Sequence, residues 1–396
     1  MSDQARDGLD PMVIVRELAA LPHRGATTKE ERAAADILER HLKGLGATTE
    51  LQEFSTPKTY VTEVWWLLAG LLGGLLLLPR LGWLAWLLVA GSTALGLHYF
   101  DWRASPVSSL PPHARSQNVI GRFPGSGKGP TQLILMGHYD SAPVSLLYLP
   151  SSVKGFRQSL LISLGLMVLA VLISLLYVLH LGQPVVGWLR GLLVIYFLAQ
   201  GIMSSIDYFR FGFTNGAADN ATGAAAAVAV AERLWRNPIP GWDVEVVLTG
   251  AEEANLKGSL AYFRSQQGQL DPRHAYLLNF DNVGAGQIKV ITRTGTLTDV
   301  VYDNALVAAA LETATSEPRY QAVKPGVWHT GDFDSLWFAR AGIPSLTLSA
   351  QDSQGTIPNL HRPTDTIQHV DEALPGFAAD FAEAALRRLA ARPAAT

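Results

Sequence analysis

The chain has 396 residues, a formal net charge of −3, no cysteine and 48% apolar residues. The length allows one large domain or two small ones. So small a net charge argues against a nucleic-acid partner, and the absence of cysteine excludes disulfides and thiolate metal sites.

Met1 to Asp7 is polar and mixed in charge, without the basic-then-apolar pattern of a secretory signal. Residues 11–45 read as helices. The run from Ala33 to Lys43 has apolar positions at helical spacing, closed by Gly44 and Gly46. Thr48 to Phe54 alternates like a strand. The composition then changes. Val64 to Leu78 and Trp83 to Leu97 are almost wholly apolar, with a turn expected at Pro79–Gly82 between them. Each arm is near the length that crosses a bilayer. Trp65, Trp66, Trp83, Trp86 and Trp102 lie near the ends, where amphipathic rings prefer the interface. This predicts a membrane hairpin; the alternative is a helical hairpin buried in a soluble core.

Asn118 to Phe123 reads as a strand and Pro124 to Pro130 as a glycine-rich loop. The loop lacks phosphate-loop spacing and leads into a strand, so it is not a nucleotide site. Leu133 to Met136 is an apolar strand followed by Gly137, His138, Tyr139 and Asp140. A second apolar block follows, Leu160 to Leu179 and Val185 to Ile206, which predicts a second hairpin. Its Arg190 either snorkels to the interface or faces a partner in the bundle. The hairpin bases carry Lys58, Arg103, Lys154, Arg157 and Arg210, the distal turns only Arg80 and His180. The positive-inside rule then places the soluble segments in the cytoplasm.

From Thr214 the chain alternates again. Helices are expected over Ala221 to Trp235, Leu256 to Gln266, Val300 to Glu312 and Asp371 to Leu389, and strands over Trp242 to Leu248, Ala275 to Phe280 and Ile343 to Ser349. This predicts an α/β fold, a mainly parallel central sheet flanked by helices, with two inserted transmembrane helical hairpins. The expected division is 1–60, 104–157 and 207–396 as one continuous soluble domain, with hairpins at 61–103 and 158–206.

The polar residues His138, Asp140, Asp219, Glu252, Glu253, Asp281, His361 and Asp365 nearly all fall just after an apolar strand or at a helix entrance. Taken singly, each has an ordinary explanation: a helix cap, a solvated pair, a loop His. Strand ends converge in an open α/β sheet. Two imidazoles with several carboxylates and no thiolate suit zinc or a similar divalent ion.

With these residues in view, the sequence resembles the co-catalytic zinc aminopeptidases, the group that includes bacterial leucyl aminopeptidases with glutamate carboxypeptidases and glutaminyl cyclases as relatives. The matching stretches are Gly137–Ser141, Gly216–Gly223, Thr249–Glu253, Asn279–Asp281, Ala341–Pro344 and His361–Asp365, in the family order. The hairpins lie outside the resemblance. It implies two zinc ions, Asp219 bridging them, His138 and Asp281 completing one site and Glu253 and His361 the other. It further implies Glu252 as general base for the bridging water and Asp140 as the carboxylate supporting His138, with Asp365 positioning the loop of His361. The segment Gly331–Phe338 departs from the family pattern, which leaves the substrate pocket open, and His329 is a candidate substrate contact. The function expected is a membrane-anchored aminopeptidase acting on peptides. The alternatives are a carboxypeptidase, a glutaminyl-cyclase-like enzyme, or a non-catalytic membrane scaffold.

Overall fold

A computed structural model of the chain describes residues 8–103, 105–123 and 129–392. The polar segment 1–7 and most of the glycine-rich loop at 124–130 lie outside the described residues.

Helices α1 (Pro11–Ala19) and α2 (Lys29–Gly44) open the chain and lead to β1 (Thr48–Thr56). The first apolar block forms α3 (Tyr60–Leu81) and α4 (Trp83–Phe100). Strands β2 (Ala114–Arg122) and β3 (Thr131–His138) follow, then α5 (Val153–Val178) and α6 (Val185–Phe211). The remainder runs α7 (Thr222–Arg236), β4 (Trp242–Thr249), α8 (Lys257–Ser265), β5 (Ala275–Phe280), β6 (Gln287–Thr294), β7 (Val300–Val301), α9 (Ala305–Ser316), β8 (Lys324–Val327), α10 (Leu336–Arg340), β9 (Ser345–Gln351) and α11 (Leu374–Ala390).

The strands form one sheet in the order β1-β2-β4-β3-β5-β9-β6-β7, with β8 also paired to β6. Its four middle strands, β4, β3, β5 and β9, are parallel. On either side, β2 and β6 join them antiparallel. The centre thus has the expected parallel character, while the margins do not. β6 was not anticipated because Lys289 and Arg293 interrupt its apolar run. β7 takes the residues at which the helix beginning at Val300 was expected, and α9 starts at Ala305. The middle strands are buried almost throughout, as strands covered on both faces must be. The Ala-rich α7 packs against one face with α1, α9 and α11; Tyr262 of α8 and Phe338 of α10 cover the other.

The two apolar hairpins pack together as a four-helix bundle with its own core, including Leu71, Leu75, Val89, Leu164, Ile173 and Val186. All four helices are long and apolar enough to cross a membrane, at 22, 18, 26 and 27 residues. Gly70 and Gly74, one turn apart on α3, let α4 approach closely: a Cβ on Gly74 would lie 2.6 Å from Val89 Cγ2. The turn expected at Pro79–Gly82 is tighter than its sequence implied. α3 continues through Pro79 to Leu81 and only Gly82 breaks it. Pro79 removes the N–H that would bond the carbonyl of Leu75. Arg190 Nη1 donates to that carbonyl instead, at 3.0 Å, and its guanidinium lies over the Tyr177 ring. Arg190 therefore faces the bundle, where it satisfies a backbone group that Pro79 leaves without its helical partner.

Candidate metal centre

The site grows out of the carboxyl ends of the parallel strands. His138 ends β3 in register with Thr249, the last residue of β4. Glu252 and Glu253 follow β4, and Asp281 follows β5. Gly137 is required by close approach: a Cβ there would lie 2.9 Å from the carbonyl carbon of Gly223 and 3.0 Å from Ala224 N, at the start of α7. Asp219 lies in the helical turn Ala217–Ala221 that enters α7, and its peptide bond to Asn220 is cis. Three residues at the site hold positive φ without being glycine: Ala251 (51°), Asn282 (56°) and His361 (53°). Such backbone persists where surrounding contacts over-determine it, and here it re-aims the chain beside the polar side chains.

The structure brings the expected metal ligands and the expected base into one cluster. His138 Nε2 lies 3.4 Å from Asp219 Oδ1, 3.6 Å from Asp281 Oδ2 and 3.9 Å from Glu252 Oε2. His361 Nε2 lies 3.5 Å from Asp219 Oδ2 and 3.2 Å from Glu253 Oε2. Thus the two oxygens of Asp219 address two different imidazoles. Donor atoms of His138, Asp219 and Glu253, and of His138, Glu252 and Asp281, fall within 4.8 Å of one another.

Asp140 is buried beneath this cluster. Its Oδ1 is 3.5 Å from His138 Nδ1 and accepts from Glu252 N at 3.0 Å, while its Oδ2 accepts from Glu253 N at 3.2 Å. His138 Nδ1 also lies 3.2 Å from the Asp140 backbone carbonyl, so Asp140 holds the imidazole through main chain and side chain together and the glutamate pair through its carboxylate. Asp365 accepts from Ala218 N (2.7 Å) and Asp219 N (3.1 Å), so it ties the His361 loop to the Asp219 turn. Its contacts reach further than the positioning of its own loop expected from the sequence. His329 Nδ1 bonds the Gly295 carbonyl at 2.7 Å, and its side chain does not line the site cavity.

Burial pushes the carboxyls of Glu252 and Glu253 well above their ordinary range, and that of Asp281 up to about 7, with neighbouring acids adding to the effect. Burial also opposes ionisation of Asp219, but His138 and His361 hold its carboxyl below the usual value. Five acids and two imidazoles packed this way carry an excess of negative charge that a divalent cation would relieve. Asp219 Oδ2 and His361 Nδ1 are buried without a hydrogen-bond partner. The donor set, all nitrogen and carboxylate oxygen, fits zinc or a similar ion.

Several supports gave no sequence signal. Arg24, fully buried, donates to the carbonyls of Tyr139 (2.6 Å), Asn215 (2.7 Å) and Gly216 (2.6 Å), bracing the chain on both sides of the site. Asn282 Nδ2 bridges Asp219 Oδ1 (3.0 Å) and Asp281 Oδ1 (2.7 Å). Asp334 accepts from Thr249 Oγ1 at 2.5 Å. The Tyr148 ring lies 4.4 Å from that of His361.

One cavity of about 470 Å³ opens onto the cluster and is lined by His138, Asp219, Glu252, Glu253, Asp281 and His361.

Comparison with known proteins follows the same lines. The family model of peptidase family M28 matches residues 202–385, a stretch that holds Asp219, Glu252, Glu253, Asp281 and His361. The chain is similar in structure to a zinc aminopeptidase from Bacillus subtilis (14% identity, TM-score 0.55, 95% of this chain and 94% of that one). It is likewise similar to a Zn-dependent exopeptidase from Parabacteroides distasonis (15%, 0.55, 97% of each) and to a glutaminyl cyclase from Bacteroides thetaiotaomicron solved with N-acetylhistamine (13%, 0.55, 97% of each). At such identities the structural likeness shows the fold. No curated protein matches the chain. The resemblance to co-catalytic zinc peptidases read from the motifs is borne out by the family match and the shared fold.

Proposed function

We propose that the chain is a membrane-anchored, zinc-dependent exopeptidase that hydrolyses N-terminal residues from peptides. The observation that carries this reading is the pair of oxygens on Asp219, 3.4 Å and 3.5 Å from the Nε2 atoms of two separate histidines. In this reading His138 and Asp281 would hold one ion, His361 and Glu253 the other, and Asp219 would serve both; ions so held would polarise the scissile carbonyl and acidify the attacking water.

The remaining work falls to this chain's own groups. Glu252 lines the cavity beside His138 and takes the proton of the water, then delivers it to the leaving amine. Asp140 holds His138 in one tautomer and orientation, and anchors the backbone from which Glu252 projects. Asp365 and Asn282 keep the Asp219 carboxylate facing both imidazoles. The bundle anchors this machinery to the bilayer, with the catalytic domain on the cytoplasmic face.

Glu252→Gln tests the assignment. Full-length protein loaded with zinc should lose at least about 10²-fold in turnover of leucyl-peptides, while metal analysis still finds two ions per chain. Unchanged turnover would remove Glu252 from its role. The same assay with N-blocked peptides separates the activities: an aminopeptidase leaves them intact, whereas a carboxypeptidase cuts them.

A further inference from the structure

The cavity at the metal centre does not end at the catalytic domain. The same 470 Å³ space is lined by Val64 and Leu68 of α3, Leu160, Leu164 and Met167 of α5, and Phe197 of α6. From Ser152 to Met167 its α5 wall spans about 22 Å at the rise of an α-helix, so it runs deep between the apolar helices. One end is therefore a cluster of acids and imidazoles, and the other a largely apolar space between the bundle helices. A bilayer leaflet is about 15 Å of hydrocarbon, half of the full core.

From this geometry we propose that the substrate is an amide bearing a long alkyl arm, of the length of a lipid acyl chain, which lies between α3, α5 and α6 while the amide sits at the metal centre. This deepens the exopeptidase reading and rests on it. An alkyl arm suits the walls better than a peptide arm. A peptide would carry a backbone N–H and C=O at every residue into a space where few groups could receive them. The polar side chains of α5 and α6 that line the cavity are few, Ser159, Ser163, Gln200 and Ser204, and most are already engaged: Ser163 Oγ with Tyr196 OH at 2.8 Å, Gln200 Nε2 with both at 3.1 and 2.9 Å, and Ser204 Oγ with the Gly201 carbonyl at 3.0 Å. Deeper still, Leu164, Met167 and Phe197 offer only apolar surface. The reaction is hydrolysis: water adds its oxygen to the carbonyl carbon, Glu252 carries one of the water's protons to the departing nitrogen as the C–N bond breaks, the second follows when the new carboxylic acid ionises, and a carboxylate and an ammonium result.

The test uses full-length, zinc-loaded protein in lipid nanodiscs. One substrate series carries the chain on the amine side (leucyl-methylamide to leucyl-dodecylamide), the other on the acyl side (2-aminobutanoyl to 2-aminotetradecanoyl amide). In at least one series kcat/KM should rise by roughly 100-fold or more from the shortest to the longest member. Leu164→Trp should shrink that long-to-short ratio at least about tenfold. Partitioning into the bilayer is the same for both proteins, so the ratio isolates the cavity. A diazirine-bearing dodecylamide should label Glu252→Gln protein at the inward residues of α5 and α6, around Leu160, Met167 and Phe197. Hydrolysis of short substrates with no dependence on chain length in either series overturns the proposal and leaves the exopeptidase reading standing. So does a preference for apolar peptides over alkyl amides, or labelling confined to lipid-facing residues such as Ile162 and Leu198. No hydrolysis of any substrate, short ones included, overturns the exopeptidase reading and this proposal with it.

Discussion

Asp332 lies in the segment that departs from the family pattern, and it lines the cavity. Its Oδ1 accepts from Thr294 Oγ1 and Phe333 N, both at 3.0 Å, while its buried Oδ2 has no partner. Burial raises this carboxyl to about 7, with Arg340 acting in the opposite direction. An unfolded Asp titrates near 4. The folded state therefore binds a proton that the unfolded state has released, so stability from this group is present below about pH 4 and is lost as pH rises through 7. Asp332→Asn keeps the accepting oxygen and removes the charge. Measured in detergent with zinc present, the difference in Tm between variant and parent should be small at pH 5 and positive at pH 8, on the order of 1–3 kcal/mol when converted to stability. A difference that does not change with pH would refute the buried charge. The cluster residues were legible where Asp332 was not, because His138, Glu252, Glu253 and Asp281 each follow an apolar strand and so declare their edge. Asp332, Asp334 and Arg24 sit in loops, and only distant contacts, such as that between Thr249 and Asp334, give them meaning.

Between elements, one polar clamp joins the first hairpin to the catalytic domain. Lys257 at the start of α8 meets Glu63 of α3 at 2.8 Å and Ser108 Oγ at 2.6 Å, and the other Glu63 oxygen accepts from Tyr99 OH of α4 at 2.9 Å. Burial holds the Lys257 ammonium below its ordinary value, with Glu63 working against that shift. Removing one member strands a buried charge, whereas removing both does not. Lys257→Met alone should cost about 3–5 kcal/mol, read as a drop in Tm, and Glu63→Leu added to it should recover most of that loss. A double variant no better than the single one would make the clamp irrelevant to docking. The helices of this clamp were readable from their apolar runs, and so was the parallel centre of the sheet. The docking of hairpin onto domain was not, since Glu63 in an apolar arm and Lys257 at a helix start belong to each other only in three dimensions. The cavity between the hairpins was hidden for the same reason: apolar residues lining a space and apolar residues facing lipid are alike in sequence.

At the scale of the whole molecule, the distribution of exposed apolar side chains separates two surfaces. Trp188 (76% exposed), Leu84 (68%) and Ile195 (66%) are among the many large apolar residues standing outward on all four bundle helices, whereas the catalytic domain exposes few, such as Val13 and Val301. A helical hairpin buried in a soluble core would not turn such faces to water, and a patch of this extent calls for another apolar medium. Lys58, Arg103, Lys154, Arg157 and Arg210 stand at the domain end of the bundle and Arg80 and His180 at the far end; the cytoplasmic placement of the catalytic domain that we propose rests on this asymmetry and the positive-inside rule. The absence of native cysteine makes this directly measurable. Leu181→Cys marks the far turn and Gln267→Cys the end of α8, both exposed positions. In intact cells a membrane-impermeant maleimide should label the first and spare the second, and permeabilised cells should label both. The reverse pattern would place the metal centre outside, and labelling of both in intact cells would mean that the bundle does not span the bilayer.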